Sequence, residues 1–340
     1  MDTTQLQHTV AAMVHAPKGL LAADESNPTI AKRFASIGLE STEANRRAWR
    51  NVLLGATGLS EAVSGVILYE ETLGQQADDG TPFPQLLEQR GIVPGIKVDK
   101  GKIPLANAPG DEVTEGLDGL AKRLQRYRDQ GARFAKWRAV YNVSPTLPSR
   151  LAIKENAHAL ARYAAICQNE GFVPIVEPEV LIDGDHTIER CREVTEQVLH
   201  AVFHALDRQR VLLEYMLLKP SMVLPGKGSA KAAPEAVAQS TVAVLRRTVP
   251  AAVPGIFFLS GGQTPEEATA NLDAMNRLGK QPWVLSFSYA RALQEPALAA
   301  WRGDPARAAA AQHALVHRAR MNARAREGRY QPAMESEAGH

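Results

Sequence analysis

Eight short apolar runs recur along the chain, each followed by a longer polar stretch of helical character. They are "GLLAAD" (19–24), "GVILYEE" (65–71), "GIKVD" (95–99), "RFAKWRAV" (133–140), "VPIVEPEV" (173–180), "VLLEYMLLKP" (211–220), "GIFFLSGG" (255–262) and "WVLSFSYA" (283–290). They are nearly continuous in apolar character rather than alternating. That pattern suits parallel strands covered on both faces. Strand then helix, eight times over, predicts an α/β protein with a closed (β/α)8 TIM barrel as a single domain over 1–330. An open doubly wound sheet is the alternative. It would normally carry a Gly-rich phosphate turn after its first strand, and "LLAADESNPT" has no glycine.

The intervening stretches carry helix signals. "TEANRRAWRNVLL" follows Ser41, an expected N-cap, and the helix beginning near Pro148 stops at Gly171. "TPEEATANLDAMNRLG" (264–279) places Pro265 and two glutamates at its start, as the helix dipole prefers. The Ala/Arg-rich stretch 304–327 reads as a helix with a solvated face. "LPGKGSAKAAPEA" (224–236) reads as a loop, and residues 331–340 as a flexible tail.

Bulk charge excludes some functions. Lys plus Arg number 39 and Asp plus Glu 37, a net of +2, so nothing marks a nucleic-acid or membrane partner. Only Cys167 and Cys191 occur, in no zinc or redox spacing, which fits free thiols in a reducing compartment. The first residues lack a secretion pattern, so a cytoplasmic protein is expected. His200/His204 and His313/His317 are spaced i, i+4 as zinc ligands can be, but neither pair forms an HExxH pattern. "DGDH" (183–186) reads as a polar turn. Neither a metal nor a cofactor is expected.

Charges appear where a barrel should be dry. Lys97 and Asp99 lie two apart and share a strand face, as do Lys136 and Arg138, and Glu177 and Glu179. Asp24 closes the first run, and Lys219 ends the apolar stretch "YMLL". Each lies at the C-terminal end of its strand, where this fold places its chemistry. Structural ion pairs would explain any one of them. Burying all of them costs several kcal/mol each (roughly) unless they are paired or bind something.

Lys219 is the informative case. A free lysine titrates at about 10.4, yet an amine must be neutral to attack a carbonyl. An apolar strand strips solvation from the ammonium, and a second cation such as Lys136 repels its proton, so both favour the neutral amine. A Schiff base there would turn a ketone into an electron sink and let a neighbouring C–C bond break. Glu177 or Glu179 would exchange protons, with like charge raising the pKa of one of them. Gly261 and Gly262, between a strand and a helix start, could point backbone N–H groups at an anion, with Arg291 beside them.

"LLAADES", "GIKVDKG", "FAKWR", "IVEPE", "LLKPSM", "FLSGGQ" and "SFSYARALQ" stand in an order and spacing that resembles the class I fructose-bisphosphate aldolases, from about residue 10 to about residue 330. The resemblance implies a lyase. It would reversibly cleave fructose 1,6-bisphosphate to dihydroxyacetone phosphate and glyceraldehyde 3-phosphate, in glycolysis and gluconeogenesis. It further implies a cytoplasmic homotetramer whose partner is a small sugar phosphate. Lys219 would form the Schiff base, Glu177 act as its acid and base, Lys136 polarise hydroxyls, Asp24 work at the C4 hydroxyl, and Glu179 support the lysines. Ser260, Gly261 and Arg291 would hold the ketone-end phosphate; Ser26, Thr29, Arg33, Lys97 and Arg138 the distal one. The chain departs from the pattern at "ESNPT", at Ala290 and at its end. There "MESEAGH" stands in place of the family's terminal tyrosine, and Tyr330 matches an internal position. His340 could carry a proton there, but Glu177 or solvent is expected to do so. A different Schiff-base barrel and an inactive binding protein are the competing readings. Two phosphate sites argue against a keto acid, and retained buried charges argue against inactivity.

Overall fold

The structure, a computed structural model, describes the backbone of residues 3–339 and the side chains of 3–336. All eight apolar runs contribute strands, and the strands close into one barrel. They are β1 (Gly19–Ala23), β2 (Val63–Leu68), β3 (Val93–Lys97), β4 (Phe134–Tyr141), β5 (Val173–Val180), β6 (Leu217–Leu218), β7 (Gly255–Phe258) and β8 (Val284–Tyr289). Each pairs in parallel with its sequence neighbours, and β1 closes on β8 through Leu20–Ser288 and Leu21–Tyr289. The run 211–220 is not one long strand. A 3-10 turn, Leu213–Tyr215, precedes a strand of two residues. The ladder then continues through Lys219 N–H, which donates to Val176 O at 2.8 Å.

The strands divide their side chains between two apolar layers. Outward residues such as Trp137 meet the surrounding helices; Trp137 lies 5.5 Å, ring to ring, from Tyr163. Inward residues Leu20, Ala22, Ile67, Phe134, Val173, Ile175, Leu217 and Phe257 fill the barrel's lower half. The helix Thr4–Val14 adds Leu6, Val10 and Met13 to that cluster and so plugs the N-terminal end. Ser64 Oγ fastens the plug by donating to Met13 O at 2.7 Å.

Helix boundaries follow local chemistry. Thr42, not Ser41, caps the helix Glu43–Leu54; its hydroxyl accepts from Asn45 N–H at 3.1 Å, and Ser41 instead gives its carbonyl to Arg46. The helix Arg150–Asn169 ends before Gly171, whose φ of +79° lies in the left-handed region. Thr264 and Glu267 form a reciprocal capping box at the start of Pro265–Arg277. Elements not read from the sequence include the helix Asn27–Ala35 after β1, although Ser26 stands at its N-cap and Pro28 lies in its first turn, and a hairpin of Lys102–Pro104 with Glu112–Thr114.

Residues read as a tail carry a 3-10 helix, Pro332–Gly339, after the long helix Ala308–Arg326. Glu335 fixes it. Its carboxylate accepts from Arg318 Nη1 at 2.5 Å and Tyr330 Oη at 2.9 Å, and meets His317 Nε2 at 2.9 Å. Arg318 is only 2% exposed and also donates to Thr269 Oγ1 at 2.6 Å.

Two predictions follow from these contacts. A Cβ added to Gly95 would sit 2.2 Å from Phe134 Cζ, inside the filled barrel. Gly95→Ala should therefore cost about 1–3 kcal/mol in a denaturant titration; an unchanged midpoint would show that Phe134 has room to move. Burial raises the pKa of Glu335, but Arg318, His317 and Tyr330 together hold it below the ordinary 4.5. A carboxylate so lowered stabilises the fold above the unfolded value and loses that contribution as pH falls through the folded one. Glu335→Gln should destabilise by about 1–3 kcal/mol at pH 7. Its deficit should shrink as pH falls below 4.5, and a deficit constant with pH would exclude the ion pair as its cause.

Candidate active site

The inward faces change character at one level of the barrel. Along β1 the inward series runs Leu20, Ala22, Asp24; along β4 it runs Phe134, Lys136, Arg138; along β5, Ile175, Glu177, Glu179. Strand period two and parallel register carry each apolar series up into charge. Lys97 stands opposite Lys136, and Arg138 opposite Glu177, so neighbouring strands bring charges of both signs to the same height. The result is a cleft of about 560 Å³ at the C-terminal mouth. All thirteen residues singled out from the sequence line it: Asp24, Ser26, Thr29, Arg33, Lys97, Lys136, Arg138, Glu177, Glu179, Lys219, Ser260, Gly261 and Arg291.

At its floor a single carboxylate joins two lysines. Glu177 Oε1 lies 3.2 Å from Lys219 Nζ, and Glu177 Oε2 lies 3.1 Å from Lys136 Nζ. Lys136 also meets Asp24 Oδ2 at 2.6 Å. Glu177, Lys219 and Lys136 are 3%, 3% and 4% exposed. Burial would push the Lys136 ammonium toward the neutral amine. Asp24, Glu177 and Asp99 outweigh it and hold the pKa well above the usual lysine range. Burial likewise raises Glu177, but Lys136, Lys219 and Arg138 outweigh it and hold it below the ordinary carboxylate value. Asp24 is lowered in the same way, burial against Lys136 and Lys219. The expectation that like charge would raise one of the paired glutamates fails for Glu177, because three cations lie closer in effect than any anion.

Two groups of cations rise from this floor. On β3 and β4, Lys97 meets Asp99 Oδ1 at 2.6 Å, and Arg138 is bonded to Glu179. Glu179 thus supports an arginine rather than the lysines, since it lies level with Val140, beyond Lys136 in register. Ser26 and Thr29 hydroxyls stand 3.1 Å apart at the start of the helix after β1, and Arg33 on that helix is bonded to Glu25. After β7, four strands from β3 but two from β1, Gly261 and Gly262 take φ of +55° and +87°, which favours glycine. Gln263 ties off this turn through its N–H and its Nε2, both donating to Ser260 O at 3.0 Å. Arg291 opens the helix after β8 and has no ion-pair or hydrogen-bond partner among the described residues.

The structure adds residues that sequence reasoning missed. Glu25 is 6% exposed and gathers Arg33, Arg50 Nη1 at 2.7 Å and Gln294 Nε2 at 2.8 Å. Its only signal was a second acid after Asp24. Asp99, already paired with Lys97 in the sequence, pins that lysine and accepts weakly from Arg138 N–H at 3.4 Å. Ser288 Oγ is buried at the cleft wall without a hydrogen-bond partner. His200 and His204 lie exposed on the outer helix Ile188–Arg208 and do not line the cleft. His340 lies outside the described residues.

Comparison with known proteins places the chain in a family and agrees with its fold. The family model for class-I fructose-bisphosphate aldolase matches residues 5–340. The chain is 54% identical over 332 residues to a probable fructose-bisphosphate aldolase class 1 of Xanthomonas campestris, covering 97% of this chain and 99% of that one. It is 56% identical to the cytosolic fructose-bisphosphate aldolase 6 of Arabidopsis thaliana, covering 94% and 90%. Among solved structures it is similar to fructose-bisphosphate aldolase of Plasmodium falciparum, in a ternary co-crystal with TRAP and a small molecule inhibitor. That match has a TM-score of 0.95 at 50% identity and covers 96% and 95% of the two chains. With a family model spanning nearly the whole chain and relatives above half identity, the chain belongs to the class I fructose-bisphosphate aldolases.

Proposed function

We propose that this chain cleaves fructose 1,6-bisphosphate through a Schiff base on Lys219. The observation that carries the reading is the Glu177 carboxylate, 3.2 Å from Lys219 Nζ and 3.1 Å from Lys136 Nζ. To become a nucleophile, Lys219 must lose a proton, and Glu177 is within reach to take it. The amine then adds to the C2 ketone. Glu177, now protonated, gives its proton to the departing hydroxyl, water leaves, and an iminium forms. One group thus serves as base and then as acid.

Cleavage needs a base at the C4 hydroxyl and a sink at C2. Asp24 is held ionised against Lys136 and can take the C4 proton. The C4–O electrons form the aldehyde, the C3–C4 bond breaks, and its pair moves through C2 to the iminium nitrogen as an enamine. Lys136, held as an ammonium, stabilises the developing oxyanion. Protonation of the enamine at C3 and hydrolysis release dihydroxyacetone phosphate. Ser260, Gly261 and Arg291 suit the ketone-end phosphate. Ser26, Thr29, Arg33, Lys97 and Arg138 suit the distal one, with Glu179 setting Arg138.

We also infer a cytoplasmic homotetramer. The location is supported by relatives named cytosolic, and no described helix is long and apolar enough to cross a membrane. The subunit number rests on the family resemblance. Residues 331–340 are inferred to be a segment appended to the barrel of 1–330, not part of its wall.

Borohydride reduction in the presence of dihydroxyacetone phosphate, followed by peptide mass analysis, should place the label on Lys219. Label on Lys136 or Lys97 would move the nucleophile there. Glu177→Gln keeps the shape but cannot accept the proton. It should bind substrate and turn over roughly 10²- to 10⁴-fold more slowly. A near-normal kcat in that variant would transfer the proton work to another group.

A further inference from the structure

We propose that Lys227 is a further ligand for the ketone-end phosphate, closing over it from the loop between β6 and the helix Pro234–Thr248. The proposal rests on the assignment of Ser260, Gly261 and Arg291 to that phosphate. A Cβ built on Gly262 would lie 3.1 Å from Lys227 Cε, 3.4 Å from Lys227 Nζ and 3.5 Å from Arg291 Nη2. An ammonium and a guanidinium therefore flank one glycine of the turn. Two cations so close repel each other unless an anion lies between them. Arg291 has no anionic partner among the described residues. Lys227 has one, Asp183 Oδ1 at 2.9 Å, on the outer side of the loop.

The backbone at Lys227 is fixed while its side chain is free to pivot. Lys227 N–H donates to Ile182 O, Gly226 N–H to His186 O and Gly228 N–H to Gly184 O, all at 2.8 Å. The Asp183 pair is half exposed or more on both sides, so water screens it and leaving it costs little. A phosphate dianion between Arg291 and the Gly262 turn offers the ammonium two charges in place of one. Lys227 exchanges Asp183 for the phosphate when substrate binds and returns when product leaves. The flanking glycines serve the fixed backbone, since a Cβ on Gly226 would lie 2.5 Å from Gly184 O, and Lys227 has no sequence signal beyond its charge.

Lys227→Met should raise KM for fructose 1,6-bisphosphate by about three- to tenfold, with most of the change in KM rather than kcat. It should weaken product inhibition by dihydroxyacetone phosphate to a similar degree and leave that by glyceraldehyde 3-phosphate as it was. KM should also depend less steeply on salt. Asp183→Asn, which removes the partner and keeps the ammonium, should give a KM no higher than the parent's. Two results overturn the proposal. One is an unchanged KM in Lys227→Met while Arg291→Ala raises it. The other is a rise in Asp183→Asn equal to that in Lys227→Met, which would make the pair a fastener of the loop. If Arg291→Ala itself leaves KM unchanged, the assignment of this end to a phosphate fails, and Lys227 fails with it.

Discussion

The Glu177 carboxylate between Lys136 and Lys219 sets the terms for everything above the barrel floor. Each of the three is almost wholly removed from water, and a buried ion is costly unless its partners replace the lost solvation. Glu177 can remain ionised only because cations flank it, and Lys136 can remain an ammonium only because Asp24 and Glu177 face it. Removing Glu177 or Lys136 takes away one of the charges that hold the other ionised. The same mutual dependence makes the group useful. In the proposed reaction, forming an iminium on Lys219 would change what Glu177 must compensate, so covalent chemistry and proton position would be tied together.

That cluster needs a dry, rigid floor, and the barrel supplies one. Phe134, Leu217, Phe257 and the plug from Thr4–Val14 fill the lower half so fully that Gly95 has no room for a methyl group. Packing of this kind fixes the height of the next inward residue on each strand. Because the strands are parallel and in register, that next residue is charged on several of them at once. The outer helices do little chemistry of their own. They hold the arginines and hydroxyls that reach over the rim, Arg33 from one and Arg291 from another.

What could be read from the sequence was whatever depends on near neighbours along the chain. Strand positions came from local apolarity, and Lys136 with Arg138 from a spacing of two. Lys219 stood out because an ammonium ends an apolar run. What could not be read was which charge meets which. Glu25 depends on Arg50 and on Gln294, 269 residues away along the chain, and neither spacing nor composition encodes that contact. Glu179 was expected to serve the lysines and serves Arg138, because one step of register lifts it past them. The like-charge effect expected between the glutamates was outweighed at Glu177 by cations from β4 and β6, visible only once the strands are side by side. The resemblance to a known family named thirteen of the residues that line the cleft, but not the contacts among them.

The two cationic flanks differ in a way that bears on how products would leave. On the side proposed for the distal phosphate, the three cations assigned to it already have carboxylates: Lys97 has Asp99, Arg138 has Glu179, and Arg33 has Glu25. A phosphate bound there must share or displace those partners, so its net gain is smaller than the count of positive charges suggests. On the ketone side Arg291 has no such competitor, and the turn of Gly261 and Gly262 is open beside it. After C3–C4 cleavage the aldehyde carries the distal phosphate and has no covalent tie. Its cations can return to their carboxylates as it departs, which lowers the cost of release. In the proposed reaction the other fragment would still be bonded to Lys219 and held by Arg291, which has no carboxylate partner among the described residues. The arrangement favours losing the aldehyde first and keeping the enamine in place until it has been protonated.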